Sequence, residues 1–276
     1  MLRLLSLACV LLALRPASAA VLDEIPIEVR EGLVWLKVSV PQQKEPLNFL
    51  LDSGAQASVV SLATARHLGL NSGLTVRVQG VSSAAEGRWP LRLDAHTGDV
   101  RLPRRYVGVN LDELSRACLC SVDGLIGADF FRDRIVQIDY AAQKLRLLDA
   151  PPANVASVPL QTRRGALCVD LEVNGSPTRH VRVDTGCSMA LHWVTPKQPA
   201  ANPNQRVSVA LAKLAIPTDE TRVKLGEFQF GAIPTGLHTE EIFSNEGGLL
   251  GNALLEKFVV TFDAKRQRLY LALNER

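Results

Sequence analysis

Aromatic residues make up only 5% of this 276-residue chain, which carries five cysteines, five histidines and two methionines. So few cysteines over this length exclude a disulfide scaffold as the main source of stability. No run of Lys or Arg concentrates the net charge of +3, which removes nucleic acid as an expected partner. Beyond the N-terminus there is no apolar run near the roughly 20 residues that a membrane helix needs, so no stable membrane insertion is expected. His67, His96, His180, His192 and His238 form no H-E-x-x-H, and Cys118-Leu119-Cys120 has no second pair to complete a zinc site. No zinc site is therefore expected. Gly247-Gly248-Leu249-Leu250-Gly251 lacks the Lys-Ser/Thr ending of a phosphate loop. What is present is a globular composition, 47% hydrophobic and 21% charged, which excludes a disordered or collagen-like chain.

Residues 1–20 carry Arg3, an apolar run from Leu4 to Leu14, and Ala17-Ser18-Ala19 where a signal peptidase would cut. This is the pattern of an export signal, so a periplasmic or extracellular location is expected. Removing it takes two arginines and no acid; 31 bases against 28 acids become 29 against 28, a net charge of +1.

The remainder is a duplication. DGLIGADFFRDRIVQIDYAAQKLRLLD at 123–149 aligns without a gap on GGLLGNALLEKFVVTFDAKRQRLYLAL at 247–273. LNFLLDSGAQAS at 47–58 aligns on RHVRVDTGCSMA at 179–190, and GDVRL at 98–102 on GEFQF at 226–230. The order is preserved and the second copy has shorter loops. Pro151-Pro152 can continue neither a ladder nor a helix and marks the join, which predicts lobes at 21–150 and 151–276.

Strand patterns dominate both copies. Residues 34–40 and 168–173 mix alternation with apolar runs as half-buried strands do, residues 135–138 and 259–262 are mainly β-branched and apolar, and Asn174-Gly175 is a hairpin turn signal. Short helical turns are predicted at 62–68, 128–131 and 252–256. The fold class is therefore all-β, with internal duplication.

In each copy an apolar strand ends in Asp-Ser/Thr-Gly: Asp52-Ser53-Gly54 and Asp184-Thr185-Gly186. A carboxylate at the end of a buried strand is costly unless something satisfies or uses it. One such triplet recurs by chance, and two of them could cap turns in a duplicated β-domain. Here each is followed by Gly-apolar-apolar-Gly, at Gly124–Gly127 and Gly248–Gly251.

With these matched pairs the sequence resembles the aspartic proteases in their two-lobed, single-chain form. It is most similar to retroviral-type (retropepsin-like) proteases fused in tandem, as in small bacterial members. The resemblance covers roughly 25–273. It implies the two-lobed acid-protease fold, each lobe a small β-barrel-like unit, and an aspartic endopeptidase that acts on peptide or protein substrates as a monomer. It assigns catalysis to Asp52 and Asp184, with neither metal nor organic cofactor, and support of the active-site loops to Ser53, Gly54, Thr185 and Gly186. A flap over the cleft maps to Gly80, Val81, Ser82 and Ser83. There is no flap tyrosine here, and Trp89 is expected in the core. Ala55 and Cys187 stand where pepsin-like members have serine. Cys187 reads as a small buried hydrophobe or as a partner of Cys168. The alternative of another class is a non-catalytic peptide-binding module on the same fold.

Overall fold

The computed structural model describes residues 19–80, 84–195, 205–209 and 212–274. The export signal expected at 1–20 lies almost wholly outside the described residues, as do Val81, Ser82 and Ser83 of the expected flap. Among the described residues no helix is long and apolar enough to cross a membrane.

The two copies meet in a six-stranded sheet. Its order is Val21–Pro26, Lys144–Leu148, Ile135–Asp139, Phe258–Asp263, Arg268–Leu273 and Ala156–Pro159. The two middle strands, one from each copy, pair antiparallel with Gln137 opposite Thr261. These residues are equivalent in the sequence repeat. Equivalent residues facing each other across an antiparallel pair place an approximate two-fold axis between them. The Gln137 amide donates to the Thr261 hydroxyl at that point, at 3.2 Å. Pro151-Pro152 sits between the strands Lys144–Leu148 and Ala156–Pro159. Val136, Ile138, Val260, Phe262, Leu145 and Leu269 turn their side chains into one continuous core. Phe131 of the first copy meets Phe262 of the second edge-on there, at 4.8 Å between ring centres.

Above this sheet each copy repeats one arrangement. The strand that ends in aspartate runs parallel to the strand of the Gly-apolar-apolar-Gly segment, with Leu51 opposite Ile126 and Val183 opposite Leu250. That segment in turn runs antiparallel to the strand after the aspartate loop, with Leu125 opposite Val59 and Leu249 opposite His192. Gly248 (φ +151°) stands where a Cβ would overlap the His192 carbonyl, so no larger residue fits at this crossing. In the second copy Ala166–Val173 pairs back onto Thr218–Leu225, closing six strands into a barrel. In the first copy the matching closure is short, a single pairing of Ser39 with His96.

The expected short helices form at Leu62–His67, Ala128–Phe130 and Asn252–Leu255. A further helix, Asp112–Ala117, was not expected. Six residues are too short to show a helical period. The helix is held instead by the Asn110 side chain, which accepts from the Asp112 amide at 2.7 Å, and by burial of Leu114. A hairpin of Gln205–Val209 with Ala212–Ile216 was also not foreseen. It follows the second aspartate loop as the hairpin of Leu74–Gln79 with Ala84–Arg92 follows the first.

Candidate active site

Both Asp-Ser/Thr-Gly loops end at the two-fold axis, each on a buried parallel strand. Their amides anchor them alike: the Asp52 N–H donates to the Ile126 carbonyl and the Asp184 N–H to the Leu250 carbonyl, both at 2.9 Å. The hydroxyls then lock the loops together across the lobes. Ser53 donates its hydroxyl to the Val183 carbonyl (2.7 Å) and accepts from the Thr185 amide (3.1 Å). Thr185 donates its hydroxyl to the Leu51 carbonyl (2.8 Å) and accepts from the Ser53 amide (2.9 Å). All four bonds are buried, and each hydroxyl is used as both donor and acceptor, so the two loops cannot move apart independently.

The motif glycines bring the carboxylates together. A Cβ on Gly54 would stand 2.5 Å from the Asp184 carboxyl carbon, and one on Gly186 would stand 2.7 Å from that of Asp52. Each glycine thus lies against the opposite lobe's carboxylate with no room for a side chain. Asp52 and Asp184 are 5% and 3% exposed, and each carboxyl acts on the other's ionisation across the lobe interface. Each also accepts a loop amide: Asp52 from Ala55 and Asp184 from Gly186, both at 2.9 Å. Burial pushes both carboxyls above the ordinary carboxylate range. At Asp184 the charge of Asp52 adds to that rise, while the Arg182 cation opposes it at both. Two carboxylates in such a site hold one proton between them, and the proton belongs to the pair.

Sequence reasoning missed three side chains that build this site. Asn252 ties the lobes: its amide donates to the carbonyls of Gly32 and Thr185, both at 2.7 Å, and it accepts from the Tyr140 hydroxyl at 2.9 Å. Arg182 and Glu246, 3% and 6% exposed, form a two-bond ion pair beside the carboxylates. The signal for Arg182 was visible in the repeat, where a cation interrupts an apolar strand opposite Leu50. Glu246 gave no comparable signal, because its partner is 64 residues away.

A cleft of about 740 Å³ opens over the pair. Its first-lobe wall carries Val76, Val78, Val107 and Leu125 alongside Arg77 and Gln79, and its second-lobe wall carries Phe243 and Arg164. Gly80, at the base of the expected flap tip, lines it. So does Trp89, which corrects the expectation of a core residue. It lies on the hairpin strand Ala84–Arg92, half-buried on the cleft wall, because that hairpin stands over the cleft. Cys168 and Cys187 are unbridged and fully buried, and burial raises both thiols, Cys168 to about 12. Among the described residues no group of three His, Cys, Asp or Glu could hold a metal ion.

Residues 36–130 match the family model of aspartyl proteases. The match supports placing the chain among the aspartic proteases. It takes in the Asp52 loop and the Gly124–Gly127 crossing. Asp184 lies outside the match, and the strand pairings around it copy those around Asp52. No curated protein matches the chain.

Proposed function

We propose that the chain is an exported aspartic endopeptidase whose single site combines Asp52 of one lobe with Asp184 of the other. The observation that supports this most directly is the buried pair itself, held by Ser53 and Thr185 and closely flanked by Gly54 and Gly186. With one proton on the pair, the ionised carboxylate takes a proton from a water, and the water oxygen adds to the scissile carbonyl carbon. The protonated carboxyl gives its proton to the carbonyl oxygen. The tetrahedral diol then collapses: the C–N bond breaks as the protonated carboxyl gives its proton to the amine nitrogen, one diol hydroxyl returns its proton to the ionised carboxylate as the carbonyl re-forms, and the dyad is left with one proton again. The enzyme forms no covalent intermediate. Substrate lies extended in the cleft beside the hairpin of Leu74–Gln79 with Ala84–Arg92, bound in part through its backbone. Val76, Val78, Val107 and Leu125 on the first-lobe wall take an apolar side chain. The two lobes supply both carboxylates, so the active form is a monomer.

A cleavage profile on a diverse peptide library tests this, run with and without a statine-type peptide whose hydroxyl mimics the diol. Cleavage at defined apolar positions, abolished by one equivalent of inhibitor per chain, is expected. Peptide binding without cleavage would replace the enzyme with a peptide-binding module. Inhibition at one equivalent per two chains would replace the monomer with a dimer.

A further inference from the structure

The two aspartates are related by the two-fold axis, but their surroundings are not. Two residues before Asp52 stands Leu50, and two residues before Gly124 stands Val122; both are buried in one apolar cluster. At the equivalent places in the second lobe stand Arg182 and Glu246. The guanidinium is held in a single pose. Its Nε and Nη2 donate to the two oxygens of Glu246 at 2.7 and 2.5 Å, and its face lies 3.6 Å from the centre of the Phe243 ring. Its remaining arm crosses to the other lobe, where Nη1 donates to the Gly54 carbonyl at 2.7 Å. Gly54 is the residue that lies against the Asp184 carboxylate. Arg182 therefore touches the peptide that packs on the dyad, and it lines the cleft alongside both Asp52 and Asp184.

Structural stability alone does not call for this arrangement. The first lobe fills the same place with leucine and valine, and buried ion pairs are on average no more stabilising than apolar pairs of that size. A fixed cation beside two carboxylates does something an apolar pair cannot: it favours their ionised forms. Resting on the proposed activity, we propose that Arg182, with Glu246 as its counter-ion, is a positioning residue that holds the Gly54 loop on the dyad and sets the pH window in which the dyad carries one proton. The titratable and charged groups facing the dyad are Arg182, Glu246 and the buried Cys187 thiol, with Arg77, Arg164 and Glu241 at the cleft wall. Of these, Arg182 is the cation acting on both carboxyls.

The test copies the first lobe into the second, as Arg182→Leu with Glu246→Val, so that no buried charge is left alone. Two readouts are taken: kcat/KM against pH on a library-derived peptide, and the carboxyl carbon shifts of Asp52 and Asp184 against pH. Removing the cation should raise both macroscopic midpoints, so both limbs of the rate profile should move upward by about 0.5–1 pH. Arg182→Lys keeps the charge and loses the fork, so its profile should stay near the wild-type position while kcat falls several-fold. A double variant whose midpoints and limbs superimpose on wild type overturns the proposal and leaves the pair a packing element. The carboxyl titration needs no turnover, so it judges Arg182 even if the chain cleaves nothing. Failure of the protease reading would instead appear as an absence of cleavage in wild type.

Discussion

The two lobes solve one folding problem with different chemistry. Beside Asp52 the facing positions are apolar, with Leu50, Val122, Val59 and Val109 buried in one cluster. The second lobe has Arg182 with Glu246 at the first of these places. The second place follows from strand register: His192 faces Leu249 as Val59 faces Leu125, and His238 faces Val194 as Val109 faces Ser61. There His192 Nδ1 lies 2.9 Å from His238 Nε2, and His192 Nε2 is buried with no hydrogen-bond partner among the described residues. The difference teaches that the crossing of strands needs only filled volume, which valine and leucine supply. Titratable pairs at the same positions answer some demand other than folding.

The strongest break of this comparison is to leave one half of an ion pair behind. Arg182→Leu alone strands the Glu246 carboxylate at 6% exposure and should cost about 3–5 kcal/mol of folding free energy. The double variant with Glu246→Val should return to within about 1 kcal/mol of wild type or exceed it. Denaturant unfolding of the three proteins measures both values. A single variant as stable as wild type would show that water reaches the pair and that the lobes differ less than their residues do.

The histidine pair sharpens the comparison through pH. Burial, with the His238 charge adding to it, lowers His192 from 6.5 to about 3, and burial lowers His238 as well. A histidine that stays neutral when folded but is protonated when unfolded contributes stability that is present above the unfolded value. That stability is lost as pH falls toward the folded one. Wild-type stability should therefore decline as pH drops below about 6.5, with a slope near 1.4 kcal/mol per pH for each such group. His192→Val with His238→Val, which copies Val59 and Val109, should flatten that decline. Thermal unfolding from pH 7 to pH 4 measures the slopes, and equal slopes would remove the histidines from the account.

Legibility in the sequence followed the distance over which a feature is written. The Asp-Ser/Thr-Gly loops are contiguous triplets, and duplication presented each twice, so Asp52, Asp184, Ser53 and Thr185 stood out from the residue order alone. The repeat offset even contained the two-fold axis, since it pairs Gln137 with Thr261. The Arg182–Glu246 pair was illegible because it depends on a parallel crossing of strands that are distant in sequence. The arginine showed only as an anomaly against Leu50. Asn252 was hidden similarly, since its two carbonyl partners lie 220 and 67 residues away. Trp89 was misplaced because size and apolarity argue for burial, whereas the hairpin that carries it projects over the cleft.

The central claim is that one carboxylate from each lobe performs the chemistry. Asp52→Asn and Asp184→Asn remove one ionisable group each while keeping shape and most hydrogen bonds. The direct measurement is kcat/KM of each folded variant on an unstructured substrate, taken from acid to neutral pH. The account predicts a loss of at least about 10²-fold for both variants at every pH. Wild-type cleavage by either one would contradict it.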